Sequence, residues 1–392
     1  MFGTTQSRNV VHRLNEKGYE AVFVGGAVRD FLLGKEPKDI DIATAATPDQ
    51  VKTVFKNTID LGTEHGTVLV IEGGEPIEVT TYRTEGTYSD HRRPDEVQFV
   101  TSLKEDLMRR DFTINSLALT LEGHVIDPFE GKKDLAEKTI RAVGYASERF
   151  SEDALRMIRA IRFVSVLDFN LECMTKDAIT KLGNTVETLS TERIKKEFDK
   201  LFKGIASSRA LKLMTETNLS SFVPLFPSDI ESFIKCAPFQ NELEGWCSLM
   251  IAGNYDASTV AKAYKLSNKE RGFLQDVKLY YEIRKSRSYT IDDYYKADFA
   301  VLKIVEKLIG VLTDLEPLDE SAISLSIEAL PILSKHELAI RGEHLMKWTD
   351  KKPGRWIGEA ITAIEQAVLH KRILNEQNAI KEWFSNEYKH KK

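Results

Sequence analysis

The sequence predicts an α/β head followed by an all-α remainder. Short apolar runs separated by glycine-containing turns, which are typical of strands, are confined to roughly the first 145 residues. Beyond Phe150, apolar residues recur with helical spacing up to the C-terminus. The chain has 392 residues, a length that favours two to four domains.

Composition excludes several classes of protein. The hydrophobic and charged fractions, 42% and 29%, are ordinary for a globular protein. No apolar run approaches the ~18 residues of a membrane span, and the N-terminus has no signal-peptide pattern. A net charge of −5 argues against a strongly basic nucleic-acid coat protein, but leaves room for a basic channel. Cys173, Cys236 and Cys247 form neither a disulfide framework nor a zinc spacing, so we expect a cytoplasmic protein.

The first elements form a strand, a glycine turn and a helix. Residues 4–17 predict a helix, and Val22–Val24 predict a strand that runs into Gly25 and Gly26. A short amphipathic helix, Ala27–Leu33, comes next. Glycines between a strand and a helix N-terminus let the backbone approach a phosphate, and Arg29 could reach the same phosphate. An ordinary strand–helix turn is the alternative.

Two aspartates come after this turn in an alternating run, Lys38–Ile42. If the run is a strand, Asp39 and Asp41 point to the same face. Two neighbouring carboxylates repel each other and need a cation, for which hard oxygen ligands favour Mg²⁺. A lone Asp-x-Asp is equally typical of a solvated strand edge; the preceding glycine pair favours the metal site.

The rest of the head predicts further strands and helices. Thr47 and Pro48 begin a helix as N-cap and first helical residue. The predicted strands are residues 67–72, 77–82 and 97–101, and residues 124–131 predict a short strand and turn that close the sheet. Glu78 could be a third metal-site carboxylate, although an exposed strand glutamate is at least as common.

Two further segments lie between the strands and the end of the head. Residues 83–96 are polar and glycine-containing, which predicts a mobile loop. Residues 103–109 predict a helix, which leads into the run Asp111–Asn115. The head is expected to end near Gly144.

A second strong signal is the helix predicted over residues 151–163, with Ser151 as N-cap. At about 100° per residue, Arg156, Arg159 and Arg162 fan over one side, opposite an apolar stripe. Three arginines on a mostly apolar helix predict an anion partner; surface ion pairing is the alternative.

Asp153 lies at the edge of this fan and places an acceptor beside the donors of Arg156. If the anion is a nucleotide, such a pair can also meet its base. Cytosine and adenine both present an amino group next to a ring acceptor, whereas guanine and uracil present a carbonyl next to an N–H. An Asp–Arg pair therefore accepts C and A and rejects G and U, because the wrong base leaves buried polar groups unpaired. Selection of the base by such a pair would need no nucleic-acid template.

These motifs together resemble the class II tRNA nucleotidyltransferase family, which comprises the CCA-adding enzymes and the related bacterial poly(A) polymerases. The matching segments are Gly-Gly-x-x-Arg-Asp at 25–30, Asp-x-Asp at 39–41, Asp111–Asn115, Glu-Asp-x-x-Arg at 152–156 and Thr191–Phe198. The resemblance implies template-independent addition of CCA to the tRNA 3′ end from CTP and ATP. It implies catalytic Asp39 and Asp41 holding two Mg²⁺ ions. It also implies nucleotide-binding roles for Gly26, Arg29, Arg110, Asp153, Arg156, Arg159 and Arg162.

The resemblance also implies an architecture and partners. The expected domains are a nucleotidyltransferase head with a mixed sheet (1–146), a helical neck for base selection (147–205), a tRNA-binding helical body (206–312) and a helical tail (313–392). The tail would grip the tRNA elbow through residues 340–358, interpreted as a basic loop between helices; a plain helix–helix turn is the alternative. In the neck, Glu192 and Arg193 would brace the base-reading helix. No membrane and no obligate protein partner is expected.

Three alternative functions share these motifs. An enzyme that adds only CC or only A would differ in residues 83–96, whose full length favours complete CCA addition. A poly(A) polymerase would be favoured by a basic C-terminal extension, whereas this sequence ends with only four basic residues, in its last five positions. A non-catalytic RNA-binding protein on the same fold would have no reason to keep Asp39 and Asp41.

Overall fold

The computed structural model describes residues 2–37, 39–62, 66–85, 97–349 and 351–388. The chain divides into two compact units. The first comprises residues 1–245 with 262–265, and the second comprises residues 246–261 with 266–392.

The head, in the first unit, is built on a seven-stranded sheet within the described residues. Its strands are β1 (Ala21–Val24), β2 (Asp41–Thr44), β3 (Thr58–Gly62), β4 (Thr67–Glu72), β5 (Glu75–Thr81), β8 (Ala118–Leu119) and β9 (Val125–Ile126). Their order across the sheet is β3-β4-β5-β2-β1-β8-β9. The β2–β5 pair is parallel and the other pairs are antiparallel, so the sheet is mixed, as predicted. The predicted closing strand, β9, lies at one edge.

Helices flank this sheet: α1 (Thr5–Glu16), α2 (Gly26–Leu32), α3 (Pro48–Val54), α4 (Leu103–Met108), α5 (Gly131–Ala136) and a 3₁₀ helix at Thr113–Asn115. The predicted start of α3 is confirmed. Thr47 caps it, and Gln50 reaches back to the Thr47 backbone in a capping box. The inward face of α1 is fully buried, which anchors this helix in the core.

Several details of the head differ from the sequence prediction. Strands β3 and β8 and helix α5 were not predicted. The strand expected over Lys38–Ile42 begins only at Asp41, and Asp39 lies in a bend before it. The loop predicted at 83–96 begins as a strand, β6 (Arg83–Glu85), which pairs with β7 (Val97–Phe99). These strands carry weak signals because pairing holds them in place and their own residues are largely polar. Residues 86–96 of that loop lie outside the described residues.

The predicted helix over 151–163 is in fact two helices, α6 (Ala146–Glu152) and α7 (Leu155–Leu167). Ser151 lies inside α6, so its assignment as an N-cap is wrong. Asp153 has an extended backbone, and its Oδ1 accepts a hydrogen bond from the Leu155 N–H at 3.0 Å. This local side-chain bond competes with helix continuation and starts the second helix.

The remainder is mostly helical, as predicted. Between α7 and residue 264, the helices are α8 (Cys173–Leu182), α9 (Thr191–Phe202), α10 (Ser207–Glu216), α11 (Ile230–Cys236), α12 (Glu242–Ala252) and α13 (Ala257–Tyr264). One exception is a short parallel pair between β10 (Thr139–Ile140) and β11 (Asn170–Leu171). It joins the end of the head to the segment after α7.

The second unit continues with α14 (Asn268–Ser286), α15 (Ile291–Lys296), α16 (Phe299–Leu312), α17 (Glu320–Glu328), α18 (Gly342–Thr349), α19 (Arg355–Leu369) and α20 (Gln377–Trp383). Most of residues 340–358 is therefore helical, and the predicted loop shrinks to the connection between α18 and α19. Trp348 and Trp356 pack against a buried apolar cluster, as expected for core residues. Residues 389–392 lie outside the described residues. Among the described helices, none has both the length and the apolarity required to cross a membrane.

Candidate active site

The glycine turn brings three chain segments together. Gly25 links β1 to α2 with φ of +75°, a conformation that favours glycine. A Cβ on Gly25 would lie 3.3 Å from Nη1 of Arg110 and 3.7 Å from Oδ2 of Asp41. The absence of a side chain therefore lets Arg110 and Asp41 approach the turn closely.

The acidic end of the site is centred on Asp41, the first residue of β2. Asp41 lies opposite Val24 of β1 on one side and Glu78 of β5 on the other. Burial, together with the neighbouring charges of Glu78 and Asp39, raises the pKa of Asp41 to about 6, against the opposing effect of Arg110. The structure thus brings Glu78 next to Asp41, and the exposed Asp39 also acts on it electrostatically.

This acidic end suits a divalent cation. Its oxygen donors are hard ligands, and the repulsion that raises the pKa of Asp41 is relieved when a cation binds. Within the described residues, no cluster of three or more histidine, cysteine, aspartate or glutamate side chains has the geometry of a metal site. The candidate ligands are therefore the pair Asp39 and Asp41, with Glu78 adjacent in the sheet.

Arg109 and Arg110 are held by the buried carboxylate of Asp106. Asp106 Oδ1 accepts from Arg109 at 2.7 Å, and its Oδ2 accepts from Nη2 of Arg110 at 3.1 Å. Burial alone would raise the pKa of Asp106, but the two arginines outweigh burial and lower it. Asp106 therefore stays ionised and fixes both guanidinium groups at the site.

A chain of four side chains crosses the site from α2 to α7. Arg29 donates to Asn115 Oδ1 at 2.8 Å, and Asn115 donates to Asp111 Oδ1 at 3.0 Å. Asp111 Oδ2 accepts two bonds from Arg159, at 2.9 Å and 2.5 Å. Burial opposes ionisation of Asp111, but Arg159 and Asn115 lower its pKa to about 2. The predicted anion partner of Arg159 is therefore a protein carboxylate.

Arg162, like Arg159, lies against a buried carboxylate, here Glu197, and it also packs on the ring of Phe163. Its Nε lies 2.6 Å from Glu197 Oε2, and its guanidinium lies 3.8 Å from the centre of the Phe163 ring. Arg29 and Arg159 approach the same ring at 5.3 Å and 5.7 Å. Burial lowers the pKa of Arg162 to about 10, against the opposing effect of Glu197. Arg162 still carries its charge at neutral pH.

The base-reading candidates, Asp153 and Arg156, are held by separate partners. Asp153 Oδ2 accepts from Arg193 at 2.8 Å, which supports the predicted bracing role of Arg193. Arg156 donates to Glu152 at 2.6 Å and to the Arg109 carbonyl at 2.9 Å. Both side chains line the same cavity, so the structure brings together the acceptor and the donors that the sequence proposed.

A cavity of about 550 Å³ joins these groups. It is lined by Gly25, Gly26, Arg29, Asp41, Arg109, Arg110, Asp111, Asn115, Asp153, Leu155, Arg156, Arg159, Arg162, Phe163, Arg193 and Lys200. Of the predicted site residues, Asp39 alone is absent from this lining. Sequence reasoning assigned no role to Asp111, Asn115, Phe163 or Lys200. Asp111 and Asn115 lie in the segment Asp111–Asn115, which matches a family motif, whereas Lys200 lies in no motif that would have pointed to the site.

Three family models match separate parts of the chain. Residues 21–141 match the poly A polymerase head domain. Residues 168–228 match the probable RNA- and SrmB-binding site of polymerase A, and residues 237–384 match the putative tRNA nucleotidyltransferase domain 2. Together these models account for most of the sequence.

Curated relatives match nearly the whole length. A CCA-adding enzyme of Bacillus cereus is 39% identical over 385 residues, covering 96% of this chain and 97% of the relative. A CCA-adding enzyme of Bacillus anthracis is 40% identical over 387 residues, with the same two coverages. The chain belongs to the CCA-adding enzyme family. As a nucleotidyltransferase, a CCA-adding enzyme depends on a divalent metal, which agrees with the acidic end of the site.

Solved structures agree with membership of the CCA-adding enzyme family. The CCA-adding enzyme of Bacillus stearothermophilus, crystallised with CTP, superposes with a TM-score of 0.85 at 35% identity, covering 98% of both chains. The Thermotoga maritima CCA-adding enzyme complexed with tRNA has a TM-score of 0.63 at 20% identity, covering 96% of this chain and 94% of the other. At that identity, the second comparison shows the shared fold alone.

Proposed function

We propose that this protein adds C, C and A to the 3′ end of tRNA from CTP and ATP without a nucleic-acid template. One observation carries the proposal: a single cavity joins the carboxylate of Asp41 to an arginine-lined wall that includes Asp153 and Arg156. The acidic end suits a metal-bound triphosphate, and the opposite wall suits a base. Membership of the CCA-adding enzyme family selects this reaction among nucleotidyl transfers.

The triphosphate is assigned to the glycine turn. Gly26 begins α2, so its backbone N–H and that of its neighbour are free to meet phosphate oxygens. Arg29 lies one turn further on, fixed by Asp30 and Asn115, and adds a positive charge. Arg110, fixed by Asp106, faces the same turn.

Asp39 and Asp41 are the proposed catalytic metal ligands, with Mg²⁺ as the metal. Asp39 and Asp41 would hold two such ions, which when bound would supply positive charge for activating the RNA 3′-hydroxyl and for stabilising the departing pyrophosphate. The protein contributes the fixed geometry: Asp41 is anchored in the middle of the sheet, between β1 and β5. Catalysis on this scheme is mainly positioning and charge neutralisation.

Base selection is assigned to Asp153 and Arg156, with Arg159 and Arg162 contacting the nucleotide beside them. Asp153 keeps its acceptor oriented by Arg193, and Arg156 is held against Glu152. A cavity whose polar groups are already oriented rejects G and U, because those bases would leave them unpaired.

The larger architecture is also part of the proposal. We assign residues 1–146 to the catalytic head, 147–205 to the neck, 206–312 to a tRNA-binding body and 313–392 to a tail that contacts the tRNA elbow. Since tRNA and nucleoside triphosphates are cytoplasmic, the enzyme is proposed to act there.

A gel assay tests the function. Purified protein with Mg²⁺ is given tRNA transcripts that end before CCA, after C or after CC. Each transcript receives every single nucleoside triphosphate, and CTP with ATP. Growth by three nucleotides and then a halt is the expected result.

The other outcomes separate the alternatives. Addition of CC alone or of A alone would identify a partial enzyme, and unlimited addition of A would identify a poly(A) polymerase. No addition by folded protein would reject enzymatic activity. An Asp41→Asn variant is the control that ties any addition to this cavity.

A further inference from the structure

Lys200 differs from the other cations of the cavity. Among the described residues, eight basic side chains line the cavity, and seven of them lie within 4.0 Å of a carboxylate: Arg29 at Asp30, Arg109 and Arg110 at Asp106, Arg156 at Glu152, Arg159 at Asp111, Arg162 at Glu197 and Arg193 at Asp153. Among the described residues, no carboxylate lies within that distance of Lys200. Its charge is exposed and uncompensated.

The helix that carries Lys200 extends this charge away from the cavity. Lys196, one turn earlier on α9, is also exposed and also lacks a carboxylate partner within the described part of the chain. Arg193, Lys196 and Lys200 fall within an arc of about 60° and span about 10 Å along the helix. Lys195, on another side of α9, is paired with Asp199 at 2.8 Å. The uncompensated positive charge of Lys196 and Lys200 therefore lies on one strip of the helix surface.

We propose that Lys196 and Lys200 bind backbone phosphates of the RNA strand whose 3′ end enters the cavity. The inference rests on the proposed function, which requires an RNA 3′-hydroxyl to reach Asp41. The strand behind that hydroxyl must leave the cavity across its rim, and each of its phosphates carries a negative charge. Lysines bind phosphates as mobile point charges without reading sequence, which suits a substrate that advances by one nucleotide per addition.

The position of Lys196 favours an RNA strand over the nucleoside triphosphate. The triphosphate is accounted for by the glycine turn and Arg29. Lys196 does not line the cavity, so a nucleotide inside the cavity would have no need of it. A polymer that continues out of the cavity would meet both lysines in succession.

The test compares Lys196→Gln/Lys200→Gln with the charge-keeping Lys196→Arg/Lys200→Arg. The control is Lys132→Gln/Lys133→Gln, which removes the same charge from exposed lysines of α5 in the head. The probe is a tRNA transcript lacking CCA. Its Kd is measured without nucleotide over a range of salt concentrations, and the KM values for tRNA and CTP are measured separately.

The glutamine pair is expected to bind tRNA about 10- to 30-fold more weakly at 0.1 M salt, because each lost phosphate contact forfeits counterion release. The slope of log K against log salt should fall by about 1.4 to 1.8 for two contacts. The KM for tRNA should rise, while the KM for CTP stays within about twofold of wild type. The arginine pair and the α5 control should behave as wild type.

Two results would overturn the inference. If the glutamine pair raised the KM for CTP and left the tRNA Kd and salt slope unchanged, the lysines would serve the nucleotide. If neither substrate were affected, Lys196 and Lys200 would have no role in binding. Failure of wild-type protein to add any nucleotide would instead reject the proposed function, and the tRNA-binding measurement would still stand by itself.

Discussion

The two ends of the cavity treat charge in opposite ways. At the acidic end, Asp41 lies beside Glu78 and Asp39, and burial among like charges raises its pKa to about 6. On the arginine wall, Arg159 and Arg162 are matched by the buried carboxylates of Asp111 and Glu197, and the pKa of Asp111 falls to about 2. The negative charge of the acidic end is not neutralised by its neighbours, whereas the positive charge of Arg159 and Arg162 is neutralised by carboxylates within the fold.

This difference indicates different tasks. An acidic group with a raised pKa gains most from an added cation, so the acidic end is suited to bind metal and to lose its internal repulsion when it does so. Arg159 and Arg162 are already neutralised by buried carboxylates, so they gain little from a new anion, but they keep their geometry. The wall is therefore suited to position a base and to reject the wrong one.

Asp41→Asn should have the largest effect. The substitution removes the central negative charge of the acidic end. The rate of nucleotide addition should fall by about 10³-fold, because loss of one electrostatic group in an active site commonly lowers kcat by about this factor. Because the charged form of Asp41 is disfavoured in the fold, the Tm without metal should stay constant or rise. Single-turnover rates and thermal melts measure the two effects, with the exposed Asp177→Asn as control. An activity within about tenfold of wild type would contradict the assignment.

Asp111→Asn should mainly reduce stability. A fall of the pKa from 3.8 to about 2 corresponds to about 2–3 kcal/mol of unfolding free energy at pH 7. A lowered pKa stabilises the fold above pH ~4, and this contribution disappears as the pH falls towards 2. The difference between the variant and wild type, measured by urea unfolding, should therefore shrink below pH 4. A difference that stayed constant with pH would show that Asp111 acts through packing.

Asp153→Asn should weaken base selection with less effect on the rate. The amide keeps one acceptor oxygen but adds a donor, so a cytosine amino group faces a poorer partner. An unpaired buried polar group costs about 1–3 kcal/mol, so the preference for CTP over UTP should fall about 10- to 100-fold. The ratio of kcat/KM values measures it. An unchanged ratio would move base selection away from Asp153.

Arg193→Gln should have the smallest effect. Arg193 is partly exposed and is proposed to act only by orienting Asp153, so losing this ion pair should cost about 0.2–1 kcal/mol, or a few-fold in kcat/KM for CTP. Arg193→Lys should recover part of it. A loss approaching that of Asp41→Asn would mean that Arg193 contacts the nucleotide itself.

Much of the fold was predictable because its signals are local. Thr47, Pro48 and Gln50 encode the start of α3 by themselves, and the apolar stripe of α7, with Met157, Ile158, Ile161 and Val164, is fully buried as its spacing predicts. The interruption between α6 and α7 at Asp153 was not predicted. A serine followed by two acidic residues, as in Ser151–Asp153, is also typical of the first turn of a helix, and the sequence was interpreted in that way. Strands β3 and β6 were missed because their stability comes from pairing with a neighbouring strand and not from a strong pattern in their own residues.

By itself, the sequence determined the order of elements, the glycine turn, the aspartate pair and the row of arginines, because each depends on residues close together in the chain. The tertiary structure decided which charges are compensated. Asp111 meets Arg159, Glu197 meets Arg162, and Arg193 meets Asp153 only when the segment after α4 is packed together with α7 and α9. Ion pairs act over a few ångströms in space, and their partners here lie about 35 to 48 residues apart in the chain, beyond the reach of any local pattern.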